Sequence, residues 1–380
     1  MSAKLALELH KKYFGISPRA LTFAPGRINL IGEHTDYNGG FVMPAAIDKG
    51  LWVTGRIVDG ETKMISSVAG TSKPFCAQST EPGDTGGWGK YPAGMAWALR
   101  SKFGPMPNLE CAVFSNLPSS SGVSSSAAIE MAFGMLWKSL VGFEVTPTEL
   151  ALLGQKCENQ YVGVNCGIMD QMASACGKAN HAVFIDTRSL EIEYASVSDQ
   201  YSVMLLDTKK PRALTASAYN ERRSQCEAAA SAMSVELLRD ADLGMLAAIR
   251  GKLEEVVYRR AKHVITENNR CQEFRTVLEN DDRNGIFALM KGSHDSLRDD
   301  YEVSCSELDA MTESAWVSPG VVGARMTGAG FGGACVALVE SSSVSEFSED
   351  CLKGYFEKTQ KQGEALVCSI EDGARILSLC

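Results

Sequence analysis

Charged and hydrogen-bonding side chains are concentrated in residues 24–40, APGRINLIGEHTDYNGG, which lie between two apolar runs. A core strand would not carry so much charge, and a solvated loop would not have such apolar flanks. Spacing alone leaves open a charged surface turn with an Asn-Gly signal. The alternative is a site at the edge of a folded core for a small ligand rich in hydroxyl groups, because such a ligand needs donors and acceptors at fixed positions. The segment supplies them from Arg27, Asn29, Glu33, His34 and Asp36.

Length and charge limit the classes of protein that this chain can represent. At 380 residues, it exceeds the usual size of one hydrophobic core, so two domains are expected. A net charge of −9 argues against a nucleic-acid partner, although one local loop can still bind phosphate through backbone N–H groups. No apolar run is long enough for a membrane span, and the 12 cysteines form no CxxC pair. We therefore expect reduced thiols, no membrane partner and a cytoplasmic location.

Strand and helix patterns interleave in both halves of the chain, which predicts an α+β protein. The main predicted strands are 51–57, 110–114, 201–207 and 333–340, and the main predicted helices are 126–141, 147–161 and 343–361. The stretch AVFIDTRSLEIEYASV predicts a hairpin, and residues 217 to 290 are mostly helical. The boundary is expected between residues 190 and 205, giving an N-terminal domain over 1–195 and a C-terminal domain over 200–380.

Three further segments carry chemistry, and each has a plainer interpretation. The segment NLPSSSGVSSSAAIE (116–130) enters a helix from a strand, which suits a phosphate cradle or a serine-rich helix cap. It is not a Walker A loop. CGIMDQ (166–171) places Asp170 in an apolar context, where a carboxylate can act as a base or cap a helix. RMTGAGFGGA, which begins at Arg325, allows close backbone packing on a ligand or simply forms a turn.

Together these segments resemble the galactokinases, a family of the GHMP small-molecule kinase superfamily, over nearly the whole chain. GRINLIGEHTDYNGG is similar to the family's sugar signature, PSSSGVSSSA to its phosphate loop, and RMTGAGFGGA to its third motif. The resemblance implies an N-terminal domain like ribosomal protein S5 domain 2 and a ferredoxin-like C-terminal domain, with the active site in the cleft between them. It also implies that the final stretch of the chain packs back on the N-terminal domain.

The implied activity is ATP-dependent phosphorylation of α-D-galactose at its anomeric hydroxyl, with Mg²⁺ as cofactor and galactose and ATP as partners. By position, Arg27 and Asp170 are the implied catalytic pair. The implied sugar ligands are Glu33, His34, Asp36, Gly167 and Tyr219. The implied Mg²⁺ ligands are Ser126 and Glu158. The implied nucleotide-binding residues are Trp88, Ser120, Ser121, Gly122, Val123, Ser124, Ser125 and Ser126. A monomer or weak homodimer is expected.

The phosphate loop departs from the family pattern P-x-G-x-G-L-S-S-S-A. Ser120 replaces the first glycine and Val123 replaces leucine. Because serine tolerates a positive φ less well than glycine, the loop is expected to be stiffer, yet still to bind phosphate. Two other functions stay open: a kinase for N-acetylgalactosamine, arabinose or galacturonate, and a galactose-sensing regulator. The retained Arg27 and Asp170 favour an enzyme.

Overall fold

The computed structural model describes residues 1–118, 122–211 and 215–379. The helices are α1 (Ser2–Phe14), α2 (Lys90–Phe103), α3 (Ser125–Val141), α4 (Pro147–Lys156), α5 (Met169–Cys176), α6 (Thr215–Ala232), α7 (Leu243–Ala248), α8 (Glu255–Glu279), α9 (Arg283–Asp299), α10 (Ser306–Trp316) and α11 (Val344–Thr359). The strands are β1 (Ala20–Asn29), β2 (Phe41–Val42), β3 (Pro44–Ile57), β4 (Lys63–Ser66), β5 (Gly70–Thr71), β6 (Leu109–Ser115), β7 (His181–Asp186), β8 (Ile192–Ser196), β9 (Tyr201–Lys210), β10 (Val321–Met326), β11 (Gly333–Glu340), β12 (Glu364–Cys368) and β13 (Arg375–Leu377).

The first sheet has the strand order β13-β1-β3-β6-β4-β5. Helix α3 packs against β1 and β3, and every residue of β1 is buried. Strand β13 pairs antiparallel with β1, with Leu377 opposite Leu21, so this strand lies at the edge of the first sheet. This sheet fixes the position of β1, which carries the first residues of the polar segment.

The second sheet has the order β10-β11-β9-β12 and receives its strands from residue 201 onward. Along the chain, helices α6 to α10 lie between β9 and β10, and α11 lies between β11 and β12. This β-α-β-β-α-β order is the ferredoxin-like arrangement. A third, small sheet, β2-β7-β8, contains the predicted hairpin.

The two halves share a buried core. Ile28 and Leu30 belong to the same hydrophobic cluster as Phe274 and Val336 of the second half. The predicted boundary near residues 195–200 falls between β8 and β9. Strand β8 belongs to the small third sheet, and β9 is the first strand of the second sheet along the chain. The exact division into domains stays a prediction.

The helix predicted over 147–161 begins as expected but changes its geometry. Thr146 accepts a hydrogen bond from the Glu149 N–H and Pro147 takes the first position, so α4 starts with a capping box. The α-helix ends at Lys156 and continues as a π-helix over Cys157–Val162. Because the π turn is wider, it rotates the residues that follow relative to α4, and such turns occur frequently at functional sites.

A buried histidine makes the stability of the fold depend on pH. His10 on α1 is fully buried, with Nδ1 3.0 Å from Thr54 Oγ1, and burial lowers its pKa from 6.5 to about 4. Between these values the unfolded chain binds a proton that the folded chain excludes, so the free energy of unfolding falls as the pH falls through this window. We expect the free energy of unfolding of His10→Gln, measured with urea, to fall by up to about 1.4 kcal/mol less per pH unit in this window than that of the unsubstituted chain. Equal slopes for both proteins would contradict this.

Candidate active site

A bulge in β1 places Arg27 at the site. The register between β1 and β3 shifts between Pro25 and Arg27, and Gly26 lies in the shift. A Cβ on Gly26 would lie 2.6 Å from Leu117 Cδ2 and 2.6 Å from the Val123 carbonyl oxygen, so only glycine allows this approach. Bulges redirect a side chain from the face of a sheet.

Arg27 forms an ion pair with Asp170. Its Nε and Nη2 lie 2.8 Å and 2.7 Å from Asp170 Oδ1. Its Nη1 donates to the Gly122 carbonyl at 2.6 Å, and Ser124 Oγ donates to Asp170 Oδ2. Both carboxylate oxygens of Asp170 therefore accept hydrogen bonds. The Arg27 guanidinium connects this carboxylate to the serine-rich residues 116–126, called the serine loop below.

The serine loop ends in unusual backbone conformations before α3. Gly122 has φ +73° and Ser124, the residue before the helix, has φ +59°. A serine in this region is strained, and such strain is found at ligand-binding sites. The Arg27 N–H donates to the Val123 carbonyl at 3.0 Å, which fastens the loop to β1. The nucleotide-binding roles predicted for Ser120 and Ser121 fall on residues outside the described ranges.

Two cavities meet at the Arg27–Asp170 pair. The first, of about 420 Å³, contains the five predicted sugar ligands, Glu33, His34, Asp36, Gly167 and Tyr219. The second, of about 340 Å³, is lined by the described part of the serine loop from Gly122 to Ser126. Arg27, Ser126, Asp170 and Ala329 line both cavities. The arrangement juxtaposes a polar pocket and a helix N-terminus across one ion pair, which suits transfer of an anionic group between two ligands.

The polar segment is buried rather than a solvated surface turn. Glu33 is 2% exposed, and its Oε1 accepts the Gly328 N–H at 2.6 Å. Asp36 Oδ1 accepts the Tyr37 N–H at 3.0 Å, and a Cβ on Gly167 would lie 1.9 Å from Asp36 Oδ2. The glycine is therefore required for Asp36 to occupy its present position.

Burial shifts the pKa values of Asp36 and Glu33, two acids of the first cavity, upward. Burial, and then the charge of Asp170, raise the pKa of Asp36 to about 6. Burial raises the pKa of Glu33, although Arg325 and Arg27 oppose it. These shifts measure the cost of keeping carboxylates out of water, and hydroxyl donors from a bound ligand would offset that cost.

Sequence reasoning missed the buried charged residues that contact the polar segment 24–40 from the second half of the chain. Glu267 of α8 is fully buried, and its Oε1 accepts the N–H groups of Gly32 at 3.0 Å and Glu33 at 3.2 Å. Arg270 lies 2.7 Å from Glu267 Oε2 and balances its charge. Arg325, also fully buried, lies 3.6 Å from Glu33 Oε1. Of Glu267, Arg270 and Arg325, only Arg325 lies in one of the motifs described above, RMTGAGFGGA.

The predicted metal ligands lie at the edge of the first cavity. Ser126 is in the first turn of α3 and Glu158 is on the π-helix. Burial, and then the charge of Asp170, raise the pKa of the Glu158 carboxyl to about 7. Gln171 Nε2 donates to Glu158 Oε2 at 2.8 Å and to Glu130 Oε2 at 3.2 Å. A buried carboxylate beside a hydroxyl and a second acid suits a hard cation.

The predicted residues are not all brought together. Trp88, in a short helical turn over Gly87–Gly89, lines neither described cavity. Its role in nucleotide binding stays a prediction. Tyr219 belongs to the first cavity, where its ring centroid lies 5.7 Å from that of His34.

Comparison with known proteins identifies the family. Residues 8–57 match the galactokinase galactose-binding signature, residues 90–178 the GHMP kinase N-terminal domain, and residues 274–357 the GHMP kinase C-terminal domain. Galactokinase from Roseiflexus sp. is 39% identical over 96% of this chain and 95% of that protein. The chain belongs to the galactokinase family. Galactokinase from Staphylococcus saprophyticus is 38% identical over 97% of this chain and 99% of that protein.

Solved structures agree with this membership. The crystal structure of Lactococcus lactis galactokinase complexed with galactose superposes with a TM-score of 0.92 at 35% identity, covering 98% of each chain. Methanococcus jannaschii mevalonate kinase, at 18% identity, shares the fold with a TM-score of 0.67 over 93% of this chain and 98% of that chain. The predicted α+β GHMP kinase architecture is confirmed. Among the described residues of this galactokinase-family chain, no helix has the length and apolar character of a membrane span.

Proposed function

We propose that this chain transfers the terminal phosphoryl group of ATP to the anomeric hydroxyl of α-D-galactose. The observation that carries the proposal is the position of the Arg27–Asp170 pair at the junction of the two cavities. The sugar would occupy the cavity of Glu33, His34 and Asp36, and the phosphates the cavity of the serine loop. Phosphoryl transfer consists mainly of positioning and charge neutralisation, and this junction supplies both.

Asp170 is proposed to accept the hydroxyl proton or to orient the attacking oxygen. Its carboxylate is fixed by Arg27 and Ser124, so it costs little reorganisation when the reaction begins. Arg27 is proposed to neutralise the charge that develops on the transferred group. Because Arg27 also donates to the Gly122 carbonyl, one side chain holds both Asp170 and the described end of the serine loop.

We propose Ser126 and Glu158 as the protein's Mg²⁺ ligands. The described residues contain no cluster of three or more His, Cys, Asp and Glu side chains placed for a metal. Two oxygen ligands with the remainder from phosphates and water are typical of Mg²⁺ in kinases. When bound, the ion supplies charge neutralisation at the phosphates. The cytoplasm is the proposed location.

The substrate is tested by measuring ADP release with four sugars: galactose, N-acetylgalactosamine, arabinose and galacturonate. We expect the highest kcat/KM for galactose, because Glu33, His34 and Asp36 can form hydrogen bonds with uncharged hydroxyl groups. The cation among the described cavity residues, Arg27, is already paired with Asp170 and does not favour the carboxylate of galacturonate. A preference for one of the other sugars would replace the proposed substrate. Sugar binding without any ADP release would instead support a sensor.

Replacing the proposed metal carboxylate should raise the enzyme's demand for Mg²⁺. For Glu158→Gln, we expect the Mg²⁺ concentration at half-maximal rate to rise about 10- to 100-fold, because one of two protein ligands loses its charge. The measurement is a Mg²⁺ titration of kcat at saturating galactose and ATP. Glu273→Gln, at an exposed position on α8, is the control. An unchanged Mg²⁺ dependence would rule out Glu158 as the ligand.

A further inference from the structure

A chain of hydrogen bonds leads from His34 into the core of the second half. His34 Nδ1 lies 2.9 Å from the Tyr37 hydroxyl, which lies 2.7 Å from the Tyr301 hydroxyl. The Tyr301 hydroxyl in turn lies 3.2 Å from Cys226 Sγ. Tyr301 is fully buried and Cys226 is 1% exposed, so the described neighbours, rather than bulk water, satisfy these groups. The chain begins at a cavity residue and ends on α6.

The other ring nitrogen of His34 gives the chain its direction. His34 Nε2 lies 3.3 Å from the Ala329 carbonyl oxygen, which can only accept a hydrogen bond. Nε2 must therefore carry a proton. Burial, together with the neighbouring His263, lowers the pKa of His34 to about 3, so the ring is neutral near pH 7 and has one N–H. Nδ1 is then an acceptor.

Each following hydroxyl has only one proton, so the remaining roles are determined. Tyr37 donates to Nδ1 of His34, and its oxygen accepts from Tyr301. Tyr301 has then used its proton, so its oxygen accepts from the Cys226 thiol. In the reversed order, Tyr37 would donate to Tyr301, and Nδ1 of His34 would have to donate to Tyr37. The single proton of the ring would then be on Nδ1, and Nε2 would present a lone pair to the Ala329 carbonyl. The order shown satisfies every link.

We propose that Tyr37 and Tyr301 are positioning residues that hold His34 as the Nε2–H tautomer, so that its one N–H, which faces the Ala329 carbonyl at 3.3 Å in the free protein, is the donor that a bound sugar hydroxyl shares or takes over. This rests on the proposed binding of galactose in the first cavity. Glu33 and Asp36, as carboxylates, offer acceptors from the same cavity. The pocket would then form hydrogen bonds with both the lone pairs and the protons of the sugar's hydroxyl groups. Such a pocket discriminates between sugars more strongly than one that offers acceptors alone.

The alternative is that the two tyrosines serve only as packing. Their rings do pack: the Tyr37 and Tyr219 centroids lie 5.1 Å apart, and those of His34 and Tyr301 lie 4.8 Å apart. Phenylalanine keeps this ring contact and removes only the hydroxyl. Tyr37→Phe therefore separates the two roles, because it leaves Nδ1 of His34 as a buried acceptor without its donor.

The first test is ¹⁵N NMR of the histidine rings in the free protein at neutral pH, with His34 assigned by its loss in His34→Gln. We expect a protonated Nε2 and a hydrogen-bonded, unprotonated Nδ1 in the unsubstituted chain. In Tyr37→Phe, we expect the Nδ1 resonance to move or the tautomers to mix. A protonated Nδ1 in the unsubstituted chain would overturn the proposal. This readout needs no turnover, so it stands apart from failure of the proposed activity.

The second test is kinetic. For Tyr37→Phe, we expect the KM for galactose to rise about 5- to 50-fold with a much smaller change in kcat, because ground-state binding is what the donor supports. Cys226→Ser keeps a hydroxyl donor to Tyr301 and should stay close to the unsubstituted chain. Tyr355→Phe removes a buried hydroxyl that donates to the Thr208 carbonyl at 2.8 Å, outside both cavities, and is the matched control. An equal KM in Tyr37→Phe and Tyr355→Phe would assign the tyrosine a packing role.

Discussion

Asp170→Asn should reduce kcat by a factor on the order of 10²–10⁴, the contribution typical of a positioned acid–base group. Asparagine has nearly the same shape as aspartate, so Arg27 and Ser124 can still contact it, while the negative charge that we propose draws the hydroxyl proton is lost. The measurement is steady-state ADP release at saturating galactose, ATP and Mg²⁺. We expect the dissociation constant for galactose, measured by calorimetry, to change little, because the proposed sugar ligands Glu33, His34 and Asp36 remain.

The control for this variant is Asp240→Asn. Asp240 is a partly exposed carboxylate that also pairs with an arginine, Arg188, through contacts of 2.8 Å and 2.7 Å. It tests whether the loss of any aspartate–arginine pair slows the enzyme. A near-normal kcat in Asp170→Asn would remove Asp170 from the chemistry, and a parallel loss of thermal stability would reassign it to structure.

Gly167→Ala should weaken galactose binding by about 10- to 100-fold while the fold remains intact. The added Cβ would lie 1.9 Å from Asp36 Oδ2 and 2.2 Å from its Cγ, an overlap that Asp36 must relieve by rotating away. A hydrogen bond from a sugar hydroxyl to a carboxylate is worth about 1.5–3 kcal/mol, and the rotation would forfeit it. The measurement is the KM for galactose together with its dissociation constant.

A glycine elsewhere provides the comparison. A Cβ on Gly251 would meet no atom within 4 Å, and its φ lies outside the left-handed region, so Gly251→Ala should leave both galactose constants unchanged. If Gly167→Ala bound galactose as well as the unsubstituted chain, Asp36 would not be a sugar ligand in its present position. A fall in melting temperature for Gly167→Ala alone would point to strain that spreads beyond the cavity.

The parts of the fold that were predicted from sequence depend on local signals. The start of α4 followed from Thr146 and Pro147, whose effects act within one helical turn. The expectation that residues 24–40 form a site followed from the contrast between charge and apolar flanks in one segment. The π-helix that carries Glu158 was not predicted, because an α-helix and a π-helix have the same local composition and differ only in their packing.

The supporting residues of the site could not be found from sequence because their partners lie far away along the chain. Glu267 accepts from the backbone of Gly32 and Glu33, which are adjacent to it only in the folded protein. Tyr301 meets Tyr37 in the same way. In sequence, Glu267 is one of many acids on a charged helix, and nothing distinguishes it from its exposed neighbours. Burial, which does distinguish it, is a property of the fold.

The pairing of β13 with β1 has a consequence for synthesis of the protein. Strand β1 is made early, yet the partner on its outer side, Arg375–Leu377, is made hundreds of residues later. Until then, one edge of β1 has no strand beside it, and an unpaired edge can recruit other chains. Pairings between distant residues also form slowly. The nascent chain on the ribosome therefore exposes a strand edge that the finished protein covers, and such an edge favours aggregation.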